Sequence, residues 1–275
     1  MKKHKTGKKE FHRFLDESGD TTFFGKNKRI IVSEPGVSKT FILGMVKIKA
    51  NLSDVRNQII ALQNEVVQDD YYKNIPSVIK RQNKYGYYFH AKDDIPEIRE
   101  KFFRFIKSLN CSYEAVVGRK IVDLYLSKHH SEEVYFYADL LSHLLKNKFT
   151  KHEKLVLNVA SRGRCTKNKN LDLALAKAKQ RFGGSKSKKG IKTKIVFNVQ
   201  SPITEPLLCI PDYFSWAVQN VFERGNVRFY DYLSDQISQV VDLYDFYSYD
   251  QPGWKNYYGP KNKLTGKNKI SPPIH

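Results

Sequence analysis

In LSDVRNQIIALQNEVV, residues 52 to 67, the apolar side chains Leu52, Val55, Ile59, Leu62 and Val66 recur in steps of three and four. That spacing predicts one stripe of an amphipathic helix. Three β-rich runs precede it, RFLDES, RIIVSE and TFILGMVKIK, bounded by Gly, Pro and Ser, and they predict an antiparallel meander. The following stretch, DDYYKNIPSVIKRQNKYGYYFHAKDD, is aromatic and basic with weak periodicity; it predicts a long loop or insertion near 71–89 leading to a short extended YYFHA. A second helix is predicted from about Ile95, with Ile98, Phe102, Phe105 and Leu109 on its buried face and Asp94, ahead of Pro96, in its cap region. The remainder alternates: strand SYEAVVGRKIV, helix SEEVYFYADLLSHLLKNKF, strand KLVLNVAS, helix LDLALAKAKQRF, strand KTKIVFNVQ, then helices from Pro211 onward.

Three strands followed by alternating helices and strands predict an α/β protein with a mixed sheet, antiparallel in its first three strands and carrying helices on both faces. The ribonuclease H-like fold has this order. One domain over 11–258 is expected, flanked by basic segments at 1–10 and 259–275 that read as mobile tails or final loops, with a glycine-hinged basic loop at 183–194.

Charge narrows the class of partner. Lys and Arg number 48 against 28 Asp and Glu, a formal +20. A polyanion suits that balance, unless it only reflects codon usage in an AT-rich genome. Nucleic acid is favoured over a membrane surface, because no apolar run approaches the ~20 residues of a span. Cys111, Cys165 and Cys209 are widely separated and match neither a disulfide framework nor a CxxC metal spacing. The basic N-terminus runs into charged residues rather than a long apolar stretch, so an intracellular, cytoplasmic protein is expected.

Against this basic background, FLDESGD concentrates Asp16, Glu17 and Asp20 at one strand end. Asp16 and Glu17 cannot face the same side of a regular strand, and Asp16 is the preferred ligand for a hard cation. The stretch reads equally as a polar turn whose Asp and Ser bond their own backbone. Late in the chain, Asp212 follows Pro211 at the start of a helix with apolar Phe214, Val218 and Val221. There it serves as an N-terminal acid favoured by the helix dipole, as a partner of Asp16, or as both.

FLDESGD, YYFHAKDDIPEIREKFFRFI and LLCIPDYFSWAVQNVFERG, in this order over roughly 11–235, resemble the signature blocks of the family catalogued as domain of unknown function 3800, assigned to the ribonuclease H-like superfamily. The opening motif matches Asp16, Glu17, Ser18 and Gly19. The late alanine-aspartate-tyrosine motif falls on Pro211, Asp212 and Tyr213, with proline replacing alanine. The middle block falls on His90 and Asp94. The resemblance implies a Mg²⁺- or Mn²⁺-dependent nuclease or a close relative, with Asp16 and Asp212 as the core pair, and a mobile-element or anti-phage defence setting.

Further candidates by position are Glu17, Asp94, Glu114 and Glu205 as metal ligands, and His90 as ligand, proton shuttle or phosphate contact. Arg119 and Lys120 at one strand end, and Arg162, Arg164 and Lys167 in the loop after another, are candidates for holding a nucleic-acid backbone. The expectation is a metal-dependent phosphodiesterase acting on RNA or DNA; the alternative is a non-catalytic nucleic-acid-binding module on the same fold. A protein partner or homo-oligomer is also compatible with the chain.

Overall fold

The computed structural model describes residues 10–150, 153–161, 168–184, 191–245 and 255–270. In chain order the elements are β1 (Glu10–Gly19), β2 (Thr40–Ile48), α1 (Leu52–Gln68), α2 (Pro76–Tyr85), α3 (Pro96–Ser108), β3 (Cys111–Arg119), α4 (Val122–His129) and α5 (Glu133–Leu145). There follow β4 (Lys154–Ala160), α6 (Asn168–Gly184), β5 (Lys194–Gln200), α7 (Cys209–Arg224), α8 (Arg228–Leu233), β6 (Ile237–Asp242) and β7 (Tyr257–Tyr258). The seven strands form one mixed sheet in the order β5-β4-β1-β2-β3-β6-β7. The β1/β2 and β2/β3 pairs are antiparallel, whereas β4 runs parallel to β1, β5 to β4, and β6 to β3.

Strand alternation divides the core. Phe14, Ile42, Val46, Ala115 and Val117 face a layer built from α1, α2, α3, α7 and α8, while Leu15, Leu43, Met45 and Val116 face α4, α5 and α6. Both faces are therefore covered, which is why TFILGMVKI reads as an almost unbroken apolar run.

Four expectations change. RIIVSE is not a strand: apart from an isolated bridge between Phe24 and Ile30 it is turns, with Ser33 at φ 72°. Both edges of β1 are already paired, so the segment instead tucks Val32 into the core, beside Phe23 from the stretch ahead of it. The third antiparallel strand is β3, which arrives only after three helices. The presumed loop at 71–89 contains α2, whose Pro76 sits in its first turn, where a missing N–H costs no helical bond. The stretch 259–270 is docked rather than tail-like. Leu264 is buried, and Ile270 exchanges backbone bonds with the main body, its N–H donating to Phe222 O at 2.8 Å and its carbonyl accepting from Lys39 Nζ. The helix predicted from Ile95 turns slightly from its expected face, burying Ile98, Phe102, Phe103 and Ile106 while Phe105 stays partly exposed.

No helix among the described residues is long and apolar enough to cross a membrane.

The α4–α5–α6 side is joined by one buried carboxylate. Asp139 accepts from Lys128 Nζ at 2.8 Å, His129 Nε2 at 3.3 Å, the Tyr244 hydroxyl and Arg181. Burial alone would raise its proton affinity, but the bonds from His129, Lys128 and Tyr244 outweigh it and hold Asp139 far below the usual carboxylate range. Beside it, burial and the positive charge of Arg181, which donates to His143 Nε2 at 2.6 Å, push His143 down to about 4. A histidine kept neutral in the fold contributes its full stability above its unfolded value, about 6.5, and loses it as pH falls from there through about 4. Urea midpoints measured between pH 7 and 4 should therefore fall more steeply for the wild type than for His143→Gln, which keeps an acceptor for Arg181 but does not titrate.

Candidate functional site

Asp16 lies on the same face of β1 as Phe14 and Ser18, towards α7. Directly across from it in the β1/β2 register is Gly44. A Cβ at Gly44 would stand 2.3 Å from both Ser215 Oγ and Tyr113 Oη, so only glycine lets α7 come this close to the sheet. Ser215 and Tyr113 bond each other there at 3.0 Å, and one turn further on Ser18 Oγ donates to Gln219 Oε1 at 2.6 Å. Of the 16 residues in α7, 13 are buried, from Cys209 and Ile210 to Phe222. The amphipathic pattern expected from Phe214, Val218 and Val221 understates this: α7 is enclosed nearly all round.

The first turn of α7 carries Asp212, one carboxylate oxygen of which accepts from the Ala91 N–H at 2.7 Å. Asp16 and Asp212 both act electrostatically on the Tyr113 hydroxyl and on the Cys209 thiol, and burial with these negative charges pushes both groups up, the thiol well above its ordinary range. The two acids anticipated as a pair thus share one neighbourhood. Burial likewise raises Asp212, opposed by His90 and the Ala91 N–H and reinforced by Asp94 and Asp93.

His90 stands at the mouth of this neighbourhood, 35% exposed, with Nδ1 3.5 Å from Asp93. The preceding tyrosines and the acid doublet are organised by Asp94. It accepts from Arg81, from Tyr87 Oη at 3.2 Å, from the His90 N–H at 2.9 Å and from the Tyr213 hydroxyl. With its lone pairs so occupied, Asp94 positions the loop and is not available as a ligand. Nor does its side chain cap α3; the cap residue is Ile95. Asp93, next to it and exposed, is the carboxylate that sequence reading passed over; its signal was the doublet after FHA.

Other anticipated residues lie elsewhere. Strand alternation sends Glu17 to the α4–α5–α6 side of the sheet. Glu114 is on that side too, bound to Lys148 Nζ at 2.8 and 2.6 Å. Glu205 is buried and held by a fork from Arg56 at 2.7–3.1 Å, fastening α1 to the segment that leads into α7. Arg119 forks onto buried Asp242 at 2.6–3.1 Å and reaches Asp245 at 3.1 Å. Lys120 is buried against Asp20 at 2.9 Å. These two cations close the strand ends internally instead of presenting charge to a phosphate. Arg162, Arg164 and Lys167 lie outside the described residues, as do residues 185–190 of the 183–194 loop.

Among the described residues, no group of three or more His, Cys, Asp or Glu is gathered closely enough to hold a metal ion. Partly exposed Asp16 and Asp212, oriented by the Ala91 N–H, are oxygen donors of the kind a hard cation takes, with no third His, Cys, Asp or Glu among the described residues gathered with them. A cation there would offset the burial penalty on the Asp212 carboxylate. No protein-family model matches this chain, and no curated protein matches it.

The close approach at Gly44 carries a direct consequence. Gly44→Ala should destabilise the fold by about 1–3 kcal/mol in urea denaturation, since neither Ser215 Oγ nor the buried Tyr113 ring has space to retreat.

Proposed function

We propose that this chain is a divalent-metal-dependent nuclease of ribonuclease H-like fold, hydrolysing phosphodiester bonds in RNA or DNA. The observation that carries the reading is a central-strand carboxylate, Asp16, opposite Gly44 where α7 presses on the sheet through Ser215 and Tyr113, with Asp212 one turn before Ser215 on that helix, inside a chain of net charge +20. The strand order supports the fold assignment: three antiparallel strands in the order β1-β2-β3, then β4 and β5 added in parallel on the far side of β1. The resemblance of FLDESGD, the FHAKDD block and CIPDYF to the family named above supports the same reading.

Asp16 and Asp212 would hold Mg²⁺ or Mn²⁺, which supplies Lewis-acid stabilisation for charge developing on phosphoryl oxygens. The Ala91 N–H fixes one oxygen of Asp212, and the carboxylate so oriented would help hold the cation. The Ser18–Gln219 and Tyr113–Ser215 bonds lock α7 against β1 and β3, so the two carboxylates are held on rigid elements. His90, partly open to solvent with Nδ1 3.5 Å from Asp93, would be the group to pass a proton to or from a reacting oxygen.

A second reading, a nucleic-acid-binding module without catalysis, is favoured by the lack of a third converging carboxylate among the described residues. Labelled RNA and DNA incubated with Mn²⁺, Mg²⁺ or EDTA separate the two. Metal-dependent cutting that drops on the order of 10²-fold or more in Asp16→Ala and in Asp212→Ala is the expected result. Cutting that survives both substitutions undiminished would sink the assignment, and salt-sensitive binding without any cutting would establish the module.

A further inference from the structure

Between α3 and α8 runs an open groove of about 430 Å³. Phe103 and Phe229 stack at its base, 5.5 Å apart, with Trp216 behind Phe229 at 4.7 Å. Tyr232, 40% exposed, stands at the rim. Three arginines line it as well. Arg104 is paired with Glu100 at 2.7 Å, but Arg99 and Arg228 have no carboxylate partner among the described residues. Arg99 spends its N–H groups on the Ala91 and Asp94 carbonyls and lies over Trp216 at 4.4 Å; Arg228 lies over Phe229 at 5.5 Å.

The groove adjoins the carboxylate site through a single residue: Ala91 gives its N–H to Asp212 and its carbonyl to Arg99. We infer that the groove seats a nucleotide of single-stranded nucleic acid, its base against the Phe229–Tyr232 surface and a neighbouring phosphate on Arg228. Flat aromatic faces beside cations without acid partners suit a base bearing an anionic linkage, and the +20 chain suits the polyanion to which it belongs. A paired base hides its faces in the stack, so this arrangement selects unpaired strands. Two acids share the wall: Glu100 is taken up by Arg104, and Glu97, which works against an anion, sits at the α3 N-terminus, while Arg228 belongs to α8. The inference rests on the nuclease reading for its substrate class.

Fluorescence anisotropy in EDTA, with a mixed-sequence 12-nucleotide RNA, the matching DNA, and the DNA duplex as probes, tests binding apart from cleavage. The wild type should bind a single strand more tightly than the duplex. Arg228→Ala and Tyr232→Ala should each weaken single-strand binding by about tenfold, and Arg228→Ala should also reduce the slope of log K against log salt by about 0.7. Thermal melts verify folding, and because Tyr232 also packs near Lys107, Arg228→Glu provides an independent charge-reversal readout. Single-strand affinity unchanged in all three variants overturns the inference, as does a wild type that prefers duplex or binds none of the probes. If groove-dependent binding is found but no metal-dependent cutting, the nuclease reading fails and this inference stands; cutting with binding indifferent to the groove gives the reverse.

Discussion

Everything near the carboxylate pair depends on how closely α7 lies against the middle of the sheet. Gly44 opposite Asp16 sets that distance, because any side chain there would collide with Ser215 and Tyr113. Once α7 is seated, Asp212 on its first turn is carried into the neighbourhood of Asp16, and Ser18 meets Gln219 further along. The driving force is apolar. Burying a Phe or Val side chain contributes about 1.5–3 kcal/mol, and α7 buries Phe214, Val218, Val221 and Phe222 with several others. The hydrogen bonds mainly select the register.

The electrostatic plan follows from the same packing. In a chain so rich in Lys and Arg, most buried acids are paired: Asp94 with Arg81, Asp242 with Arg119, Glu205 with Arg56, Asp139 with Lys128 and Arg181. A buried acid without such a partner is costly, so its proton affinity rises. Asp212 belongs to this second kind. It meets a backbone N–H and a nearby histidine rather than an Arg or Lys fork, and its environment holds further acids. The forked acids each already hold a cation, although burial still raises Asp242 to about 6.

The loop from Tyr87 to Asp94 links these features. Asp94 gathers two tyrosines, an arginine and a backbone N–H into one rigid turn, and that turn offers Ala91 to Asp212 on one side and to Arg99 on the other. The carboxylate neighbourhood and the arginine-rimmed groove are therefore held by the same short piece of backbone.

Local pattern by itself determined much of the architecture. The three-and-four spacing from Leu52 to Val66 marks α1, the runs around Leu15, Leu43 and Val116 mark strands, and alternation alone requires Asp16 and Glu17 to part company. The alternating order also marks a mixed α/β sheet, because such periodicities depend only on residues close in the chain. Tertiary structure decided what distant segments do to one another. RIIVSE has strand-like composition but no free edge on β1; Lys- and Asn-rich 259–270 has tail-like composition, yet Leu264 and Ile270 anchor it. Glu114, Glu205, Arg119 and Lys120 are as plausible in sequence as Asp16 and Asp212. Their removal from the site follows from which face they occupy and which opposite charge, 34 to 149 positions away, folding brings within 3 Å.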